Sequence, residues 1–193
     1  ITNARDMARF LSYDIFLSDN ESLREDKNGH TRRVRRGKVK LYVPREKWQK
    51  KLMDYKALEI KYQNGKEIFI PVHRTYLISN DDFEIVQQYN AEVTGLYHYY
   101  KIADNVSVLS HFNYVMKFSL FKTFGAKYRL HIRDVRKKYG YRHFEVTYRT
   151  EQGDQSVCYY EGGFQQEKTG MTDPAVDLVP KRYHNYKSYM QEN

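Results

Sequence analysis

Two adjacent carboxylates, Asp81 and Asp82, have the clearest potential for catalysis in this 193-residue chain. Paired aspartates hold magnesium ions in polymerases when a tight hairpin with apolar flanks presents both of them. Here Ser79 and Asn80 precede the pair and an apolar pattern of helical period follows it, which is the context of a helix N-terminus. The sequence therefore predicts that Asp81 and Asp82 cap a helix.

The seven histidines and the single cysteine form no recognisable ligand or nucleophile pattern. No HExxH or comparable spacing occurs among the histidines, so we predict no metal site and no cofactor in this chain. Cys158 lies among apolar and aromatic residues, which favours a buried small hydrophobe over a nucleophile. A single cysteine also excludes an internal disulfide and a zinc finger.

Basic charge is concentrated in two segments of the chain, whose net charge is +9. Residues 31–51 carry ten Lys and Arg against one Glu, and residues 105–140 carry eight against one Asp. Because each Lys or Arg that meets a phosphate releases condensed counterions, this distribution favours a polyanion-binding protein. The 19 tyrosines suit stacking on unpaired bases, although tyrosine also serves in cores.

The cations expected to contact nucleic acid belong to these two segments. The basic run at residues 32–38 has three interpretations: a solvated edge, a localisation signal or a nucleic-acid contact. The second basic segment favours the last of these. The predicted contact residues are Arg32, Arg33, Arg35, Arg36, Lys38, Lys40, Lys122, Lys127, Arg129, Arg133, Arg136, Lys137 and Lys138.

Strand-like alternation dominates the start of the chain. Residues 9–17 alternate with period two, and residues 38–43 place lysines opposite apolar residues, so we predict a long β-hairpin with one basic face. A helix is predicted over residues 45–55. An irregular stretch follows, with a turn at Asn64-Gly65, and leads into a helical half.

Helical periodicity begins at residue 80. The first apolar stripe consists of Ile85, Tyr89, Val93, Leu96 and Tyr100. A second helix is predicted as continuous from about Val106 to Tyr139, with one apolar face and one cationic face. Gly140 ends it, and residues 143–160 are typical of a closing β-hairpin. These patterns predict a mainly α fold of the α+β class, a helical bundle flanked by β-hairpins.

Residues 80–100, NDDFEIVQQYNAEVTGLYHYY, closely resemble the maturase region of group II intron-encoded reverse transcriptases. Further matches lie in residues 8–15, 37–44, 103–105, 118–127 and 135–140. Together they cover about residues 8–160. The residues that match the family's motifs are Arg74, Tyr89, Asn90, Gly95, Leu96, Tyr99, Tyr100, Ser119 and Thr123. Ser12 stands where the family usually has Gly, and Thr94 where it favours Arg.

The resemblance implies a division of the chain into three segments. Residues 1–44 would be the end of the palm and the basic hairpin, residues 45–140 the helical thumb and maturase domain X, and residues 141–193 a C-terminal hairpin and tail. The family's polymerase motif of an aromatic residue, Ala and two Asp is missing, so this chain should not polymerise alone. Magnesium is expected for the parent polymerase. The start at Ile1 lacks a Met, which suggests a fragment of a longer protein.

The implied function is that of an RNA-binding maturase domain, which binds group II intron RNA and assists its folding and splicing. In the alternative, the same surface grips primer-template duplex or target DNA within the parent polymerase. A third interpretation is an oligomerisation scaffold, and the oligomeric state stays open. No membrane partner is expected, since no apolar stretch approaches the roughly 18 residues that cross a bilayer. The expected location is a bacterial cytoplasm, or an organelle in a eukaryote.

Overall fold

Short antiparallel strand pairs surround a group of helices in the computed structural model, which describes residues 6–18, 21–25, 29–35, 38–150 and 153–167. The strands are β1 (Ala8–Phe10), β2 (Tyr13–Ser18), β3 (Glu21–Glu25), β4 (Thr31–Arg35), β5 (Lys38–Tyr42), β6 (Leu58–Gln63), β7 (Lys66–Pro71), β8 (Glu145–Thr150) and β9 (Gly153–Cys158). The helices are α1 (Arg45–Asp54), α2 (Asp82–Tyr100), α3 (Leu109–Tyr128) and α4 (Ile132–Tyr139), with 3₁₀ turns at Thr75–Leu77 and Val106–Val108. This arrangement confirms the α+β class.

The predicted N-terminal hairpin is present as the antiparallel pair β2–β5, but its first strand is shorter than expected. Leu11 and Ser12 have φ angles of 46° and 62°, so the chain reverses there and β1 folds back on β2. Two successive positive φ angles are typical of a type I′ hairpin turn. The single strand predicted over residues 9–17 was therefore wrong, and the charged segment beyond β2 contains the further pair β3–β4.

A hairpin also replaces the irregular stretch predicted after α1. Strands β6 and β7 pair from Leu58 opposite Pro71 to Gln63 opposite Lys66. Asn64 and Gly65, with φ angles of 52° and 72°, form the two-residue turn. The turn prediction was right, whereas the alternation on either side of it was overlooked.

Helix α2 lies at the centre of the core. All five residues of its predicted stripe are buried, which confirms the helix and its inward face. The same cluster of buried residues includes Trp48 from α1, Phe121 from α3 and Phe144 and Tyr159 from the C-terminal hairpin. Tyr13 and Val43 belong to this cluster too, so residues 1–44, 45–140 and 141–193 all contribute to one core.

The second long helix is broken in two, contrary to the prediction. Helix α3 ends at Tyr128, and Arg129 adopts a left-handed conformation with φ 54° and ψ 41°. The Leu130 amide then donates to the Gly125 carbonyl at 2.9 Å, a bond typical of a Schellman helix ending. Gly125 permits this because a Cβ there would lie 2.9 Å from the Leu130 oxygen. Helix α4 consequently starts in a new direction.

The closing hairpin is confirmed, with Glu145 opposite Cys158 at one end of β8 and β9 and Thr150 opposite Gly153 at the other. Gly140 ends α4 as predicted, with a φ of 90°. Both strands of the hairpin pack against α2. Among the described residues, none of the helices combines the length and apolar character needed to cross a membrane.

Candidate nucleic-acid interface

Exposed cations cluster around the break between α3 and α4. Arg129 is exposed in the link, and Arg133 and Lys137 are exposed on α4. None of the three forms an ion pair with a residue in the part of the chain that the structure describes. No residue that the structure describes neutralises these three charges. We call Arg129, Arg133, Lys137 and Lys138 the α4 cation cluster.

Two cations of α4 pack on aromatic rings. The guanidinium carbon of Arg136 lies 3.6 Å from the centroid of the Tyr141 ring, and the Lys138 ammonium lies 4.9 Å from that of Tyr139. Cation–π contacts orient a side chain without neutralising its charge. Lys138 is exposed, whereas Arg136 is only partly so.

Lys122 and Lys127 point to the chain itself rather than to solvent. The Lys122 ammonium donates to the Pro71 carbonyl at 2.6 Å. The Lys127 ammonium donates to the Asn80 carbonyl at 2.5 Å and pairs with the Asp82 carboxylate at 2.7 Å. Both lysines therefore fasten α3 to the segment that precedes α2. Their contact with RNA stays a prediction, but their ammonium groups already have partners.

A shallow cavity of about 340 Å³ lies beside the α4 cation cluster. Its lining includes His73, Lys122, Arg129 and His131, together with Ile132 at the start of α4. The first amides of a helix carry partial positive charge and suit an anion such as phosphate. The two histidines were missed by the sequence analysis because they belong to separate segments of the chain.

The basic N-terminal hairpin is only partly described. Lys38 is exposed on β5, whereas Lys40 pairs with Asp104 at 3.0 Å. The hydrogen bond from Lys40 to Asp104 raises the pKa of the lysine. Burial alone would raise the pKa of the Asp104 carboxyl, but the Leu41 amide and Lys40 together bring it below its usual value.

The arginines of the basic run lie on or next to β4, which pairs with β3. The side chains of Arg32, Arg33 and Arg35, and the whole of Arg36, lie outside the described residues. Their predicted contact with nucleic acid stays a prediction.

A second cationic surface, which the sequence analysis did not select, borders a groove of about 640 Å³ between α1 and α2. Lys47, Lys50 and Lys51 line one wall, and the small residues Ala91 and Gly95 line the other. A Cβ on Gly95 would meet no atom within 4 Å, so this wall is open. The spacing of the lysines by three and four positions was the signal that could have identified the surface.

The residues that match the family's motifs lie mainly inside the protein. Arg74 is 1% exposed and binds the Glu92 carboxylate through two nitrogens, at 2.7 and 2.6 Å. Its guanidinium also stacks on the Tyr89 ring, whose hydroxyl contacts Ser119 at 2.8 Å and Thr123 at 3.0 Å. These contacts join the connector before α2 to both central helices.

Protonation of this network is fixed by its surroundings. Burial opposes the charge of Arg74, but the hydrogen bonds and charge of Glu92 outweigh burial and raise the pKa of the guanidinium. Burial also raises the pKa of Tyr89 to about 12. The Arg74 guanidinium is therefore charged and the Tyr89 phenol neutral at neutral pH.

Asn90 holds the C-terminal hairpin on α2. Its side-chain amide donates to the Cys158 carbonyl at 2.8 Å, and its oxygen accepts from the Tyr160 amide at 2.7 Å. One side chain thereby satisfies two backbone groups next to β9. Leu96 from the same motif is buried in the core.

Tyr99 and Tyr100 hold the N-terminal turn at the other end of α2. The Tyr99 hydroxyl donates to the Leu11 carbonyl at 2.6 Å, and the Tyr100 hydroxyl donates to the Ser12 carbonyl at 3.2 Å. The Tyr13 hydroxyl in turn donates a hydrogen bond to the Tyr99 carbonyl. Burial raises the pKa of Tyr100 to about 12, which keeps its hydroxyl a donor. These motif residues position the β-elements around the helices.

Asp81 and Asp82 do not form a pair open to a metal ion. Asp81 occupies the N-cap position of α2, as predicted, but its side chain makes no capping hydrogen bond. Asp82 accepts from the Tyr128 hydroxyl at 2.6 Å and pairs with Lys127. Burial and the neighbouring Asp82 raise the pKa of Tyr128 above its ordinary value. Asp82 therefore serves the junction of α2 with α3.

The described residues contain one group that could ligate a metal ion, formed by His143, Glu145 and Cys158. The sequence analysis missed it because hairpin pairing, not sequence spacing, brings Cys158 to the other two residues. Burial raises the pKa of the Cys158 thiol, and the hydrogen bond that the His143 ring donates to the Glu161 carboxylate raises the pKa of His143.

The chain is similar to known maturases. The sequence model of the type II intron maturase family matches residues 36–174. The group II intron-encoded protein LtrA of Lactococcus lactis subsp. cremoris is 35% identical over 131 residues, which are 67% of this chain and 21% of that protein. The LtrA protein of strain MG1363 gives the same values. The chain thus spans about a fifth of the length of the curated relatives that it matches.

The family model covers well over half of the chain and includes α2, α3, α4 and both strands of the closing hairpin. The buried network around Arg74 and the contacts of Asn90, Tyr99 and Tyr100 all lie among the residues that the family model matches or bind to them. This chain belongs to the type II intron maturase family.

Proposed function

We propose that the chain is an RNA-binding maturase domain that binds group II intron RNA and assists its folding for splicing. Membership in the maturase family supports this role. The observation that carries the RNA-binding part is the α4 cation cluster, in which Arg129, Arg133 and Lys137 have no ion-pair partner among the described residues. Such cations can neutralise phosphates without breaking an ion pair of the folded protein.

The cavity beside the cluster supports a defined contact with the RNA backbone. Arg129 belongs to the cluster and also lines the cavity, so a phosphate seated there would meet a guanidinium and the first amides of α4. Arg binds phosphate with two parallel hydrogen bonds, which adds orientation to charge. The proposed interface therefore positions a phosphate rather than only attracting RNA.

A second candidate function is the gripping of a primer-template or target-DNA duplex. The groove between α1 and α2 supports it, since Lys47, Lys50 and Lys51 lie along one wall. Lysines at spacings of three and four follow one face of a helix and can track a phosphate backbone.

Magnesium-dependent polymerisation is not part of the proposal for this chain. The Asp82 carboxylate is engaged by the Tyr128 hydroxyl and the Lys127 ammonium. Any polymerase activity would belong to a longer protein.

Competition binding distinguishes the two functions. The chain is bound to labelled RNA of the intron that encodes it, and unlabelled intron RNA or a DNA duplex of equal phosphate content is added. The maturase proposal predicts that intron RNA competes at least about tenfold better, because nonspecific charge attraction is the same for both. Equal competition would instead favour the duplex-gripping role.

Splicing provides the second readout. The intron is incubated with the chain at a magnesium concentration too low for self-splicing, and spliced product is measured over time. We expect faster splicing with the unmodified chain than with the variant Arg129→Gln/Arg133→Gln. The matched control is Lys61→Gln/Lys66→Gln, which removes two exposed charges from the β6–β7 hairpin. If both variants spliced equally well, the α4 cation cluster would not be the maturase surface.

A further inference from the structure

Three potential metal ligands meet at the entrance of the C-terminal hairpin. His143 lies just before β8, Glu145 begins that strand, and Cys158 ends β9 directly opposite Glu145. One ligand atom from each side chain lies within 4.8 Å of the other two. The register of the hairpin therefore assembles a nitrogen, an oxygen and a sulfur donor at one point.

The distances between the donor atoms suit a tetrahedral metal ion. Cys158 Sγ lies 3.3 Å from His143 Nε2, and that nitrogen lies 3.9 Å from a Glu145 carboxylate oxygen. Zinc bonds of about 2.0–2.3 Å at tetrahedral angles place donor atoms roughly 3.3–3.7 Å apart. All three donor atoms already lie within 4.8 Å of one another, so side-chain rotation without a change of the backbone would bring them to these distances.

Glu161 orients the histidine as a carboxylate does in established zinc sites. The Glu161 carboxylate lies 3.0 Å from His143 Nδ1. When Nδ1 carries the proton and donates it to Glu161, the lone pair of Nε2 faces Cys158. Carboxylate–histidine–metal arrangements fix this tautomer and make the imidazole a stronger ligand.

The backbone around the cluster is held in place by bonds that do not involve the ligands' side chains. Asn90 binds the Cys158 carbonyl and the Tyr160 amide, and the Tyr159 amide donates to the Phe144 carbonyl at 2.9 Å. Fixed backbone positions reduce the ordering that an ion would have to impose. The His143 side chain is 58% exposed and that of Glu145 42%, so an ion can enter from solvent.

We propose that His143, Glu145 and Cys158 form a binding site for a zinc-like divalent transition-metal ion, with Glu161 as the positioning residue. One thiolate, one imidazole and one carboxylate are ligands that zinc accepts, and the fourth position would be open to water. The ion would tie the two strands together at the end of the hairpin where Asn90 of α2 binds the Cys158 carbonyl. The proposal does not depend on the proposed function, because RNA contacts none of these residues in that account.

Zinc titration tests the site directly. The purified chain, first stripped with a chelator, is titrated with Zn²⁺ against a metal indicator, and its thermal unfolding is followed with and without the ion. We expect one ion per chain with a dissociation constant below about 10 μM, together with a higher melting temperature. With Co²⁺, a thiolate-to-cobalt absorption band should appear.

The variants separate the site from adventitious binding. Cys158→Ser and His143→Ala should each weaken Zn²⁺ binding by at least about tenfold, and Cys158→Ser should abolish the cobalt band. Glu161→Gln keeps a hydrogen-bond acceptor and should weaken binding by about tenfold without loss of fold. His111→Ala, which removes an exposed histidine from α3, is the matched control. Binding weaker than about 10 μM in the unmodified chain, or equal binding by Cys158→Ser and the control, would overturn the proposal.

Discussion

Arg74 and Arg133 carry the same side chain in opposite surroundings. Arg74 is buried among helices, with both terminal nitrogens on the Glu92 carboxylate. Arg133 is exposed on α4 and has no ion-pair partner within the described residues. A count of positive charges treats the two as equal. The difference shows that cations of this fold divide into those that hold it together and those left for a ligand.

Loss of Arg74 should have the largest effect on stability. The Arg74→Ala variant leaves the Glu92 carboxylate buried without its partner, which typically costs about 3–5 kcal/mol of unfolding free energy. Urea denaturation measures the loss. Arg133→Ala is the matched control and should change stability by less than about 0.5 kcal/mol. Equal losses of stability in the two variants would contradict the distinction between the buried, paired Arg74 and the exposed Arg133.

Loss of Lys127 should have an intermediate effect. Lys127→Gln gives up the ion pair with Asp82 and weakens the bond to the Asn80 carbonyl. Hydrogen bonds that involve a charged group contribute about 1.5–3 kcal/mol, so we expect a loss of up to that size by urea denaturation. Arg129→Gln, two residues further along the chain, serves as the control and should be near neutral. A neutral Lys127→Gln would place that lysine with the free cations instead.

A smaller effect is expected from Asp104, and it depends on pH. Because its folded-state pKa lies below its usual value, Asp104 contributes stability above the unfolded carboxyl pKa and loses it as pH falls through the folded pKa. The difference in unfolding free energy between the unmodified chain and Asp104→Asn should therefore shrink from pH 6 towards pH 3. A difference that stayed constant across this range would contradict the assigned contacts with Leu41 and Lys40.

The apolar pattern was sufficient to predict the stripe of α2, because burial of one helix face produces a regular period. It was not sufficient to predict the break at Arg129. The left-handed conformation there is uncommon for arginine. It is stabilised by the hydrogen bond between Leu130 and Gly125, which the periodicity of apolar residues does not reveal. For the same reason, the turn at Leu11 and Ser12 was interpreted as continuous strand.

Contacts between residues far apart in the sequence limit how much of the candidate site can be predicted from the sequence. Helical spacing predicts the helix face on which Lys122 lies. It does not predict the acceptor of its ammonium group, the Pro71 carbonyl, which belongs to another element. His143 and Cys158 meet only through the register of β8 with β9. A sequence pattern identifies which residues can carry charge or ligate an ion, and tertiary contacts decide which of them remain available.

The central claim is that the α4 cation cluster binds RNA without supporting the fold, and salt dependence tests it most directly. RNA affinity is measured between 50 and 200 mM salt for the unmodified chain, for Arg129→Gln/Arg133→Gln and for the control Lys61→Gln/Lys66→Gln. If two phosphate contacts are lost, the slope of log affinity against log salt should shrink by about 1.4–1.8 for the first variant. The melting temperature and the control's slope should stay unchanged. Equal slopes and affinities for all three proteins would contradict the claim.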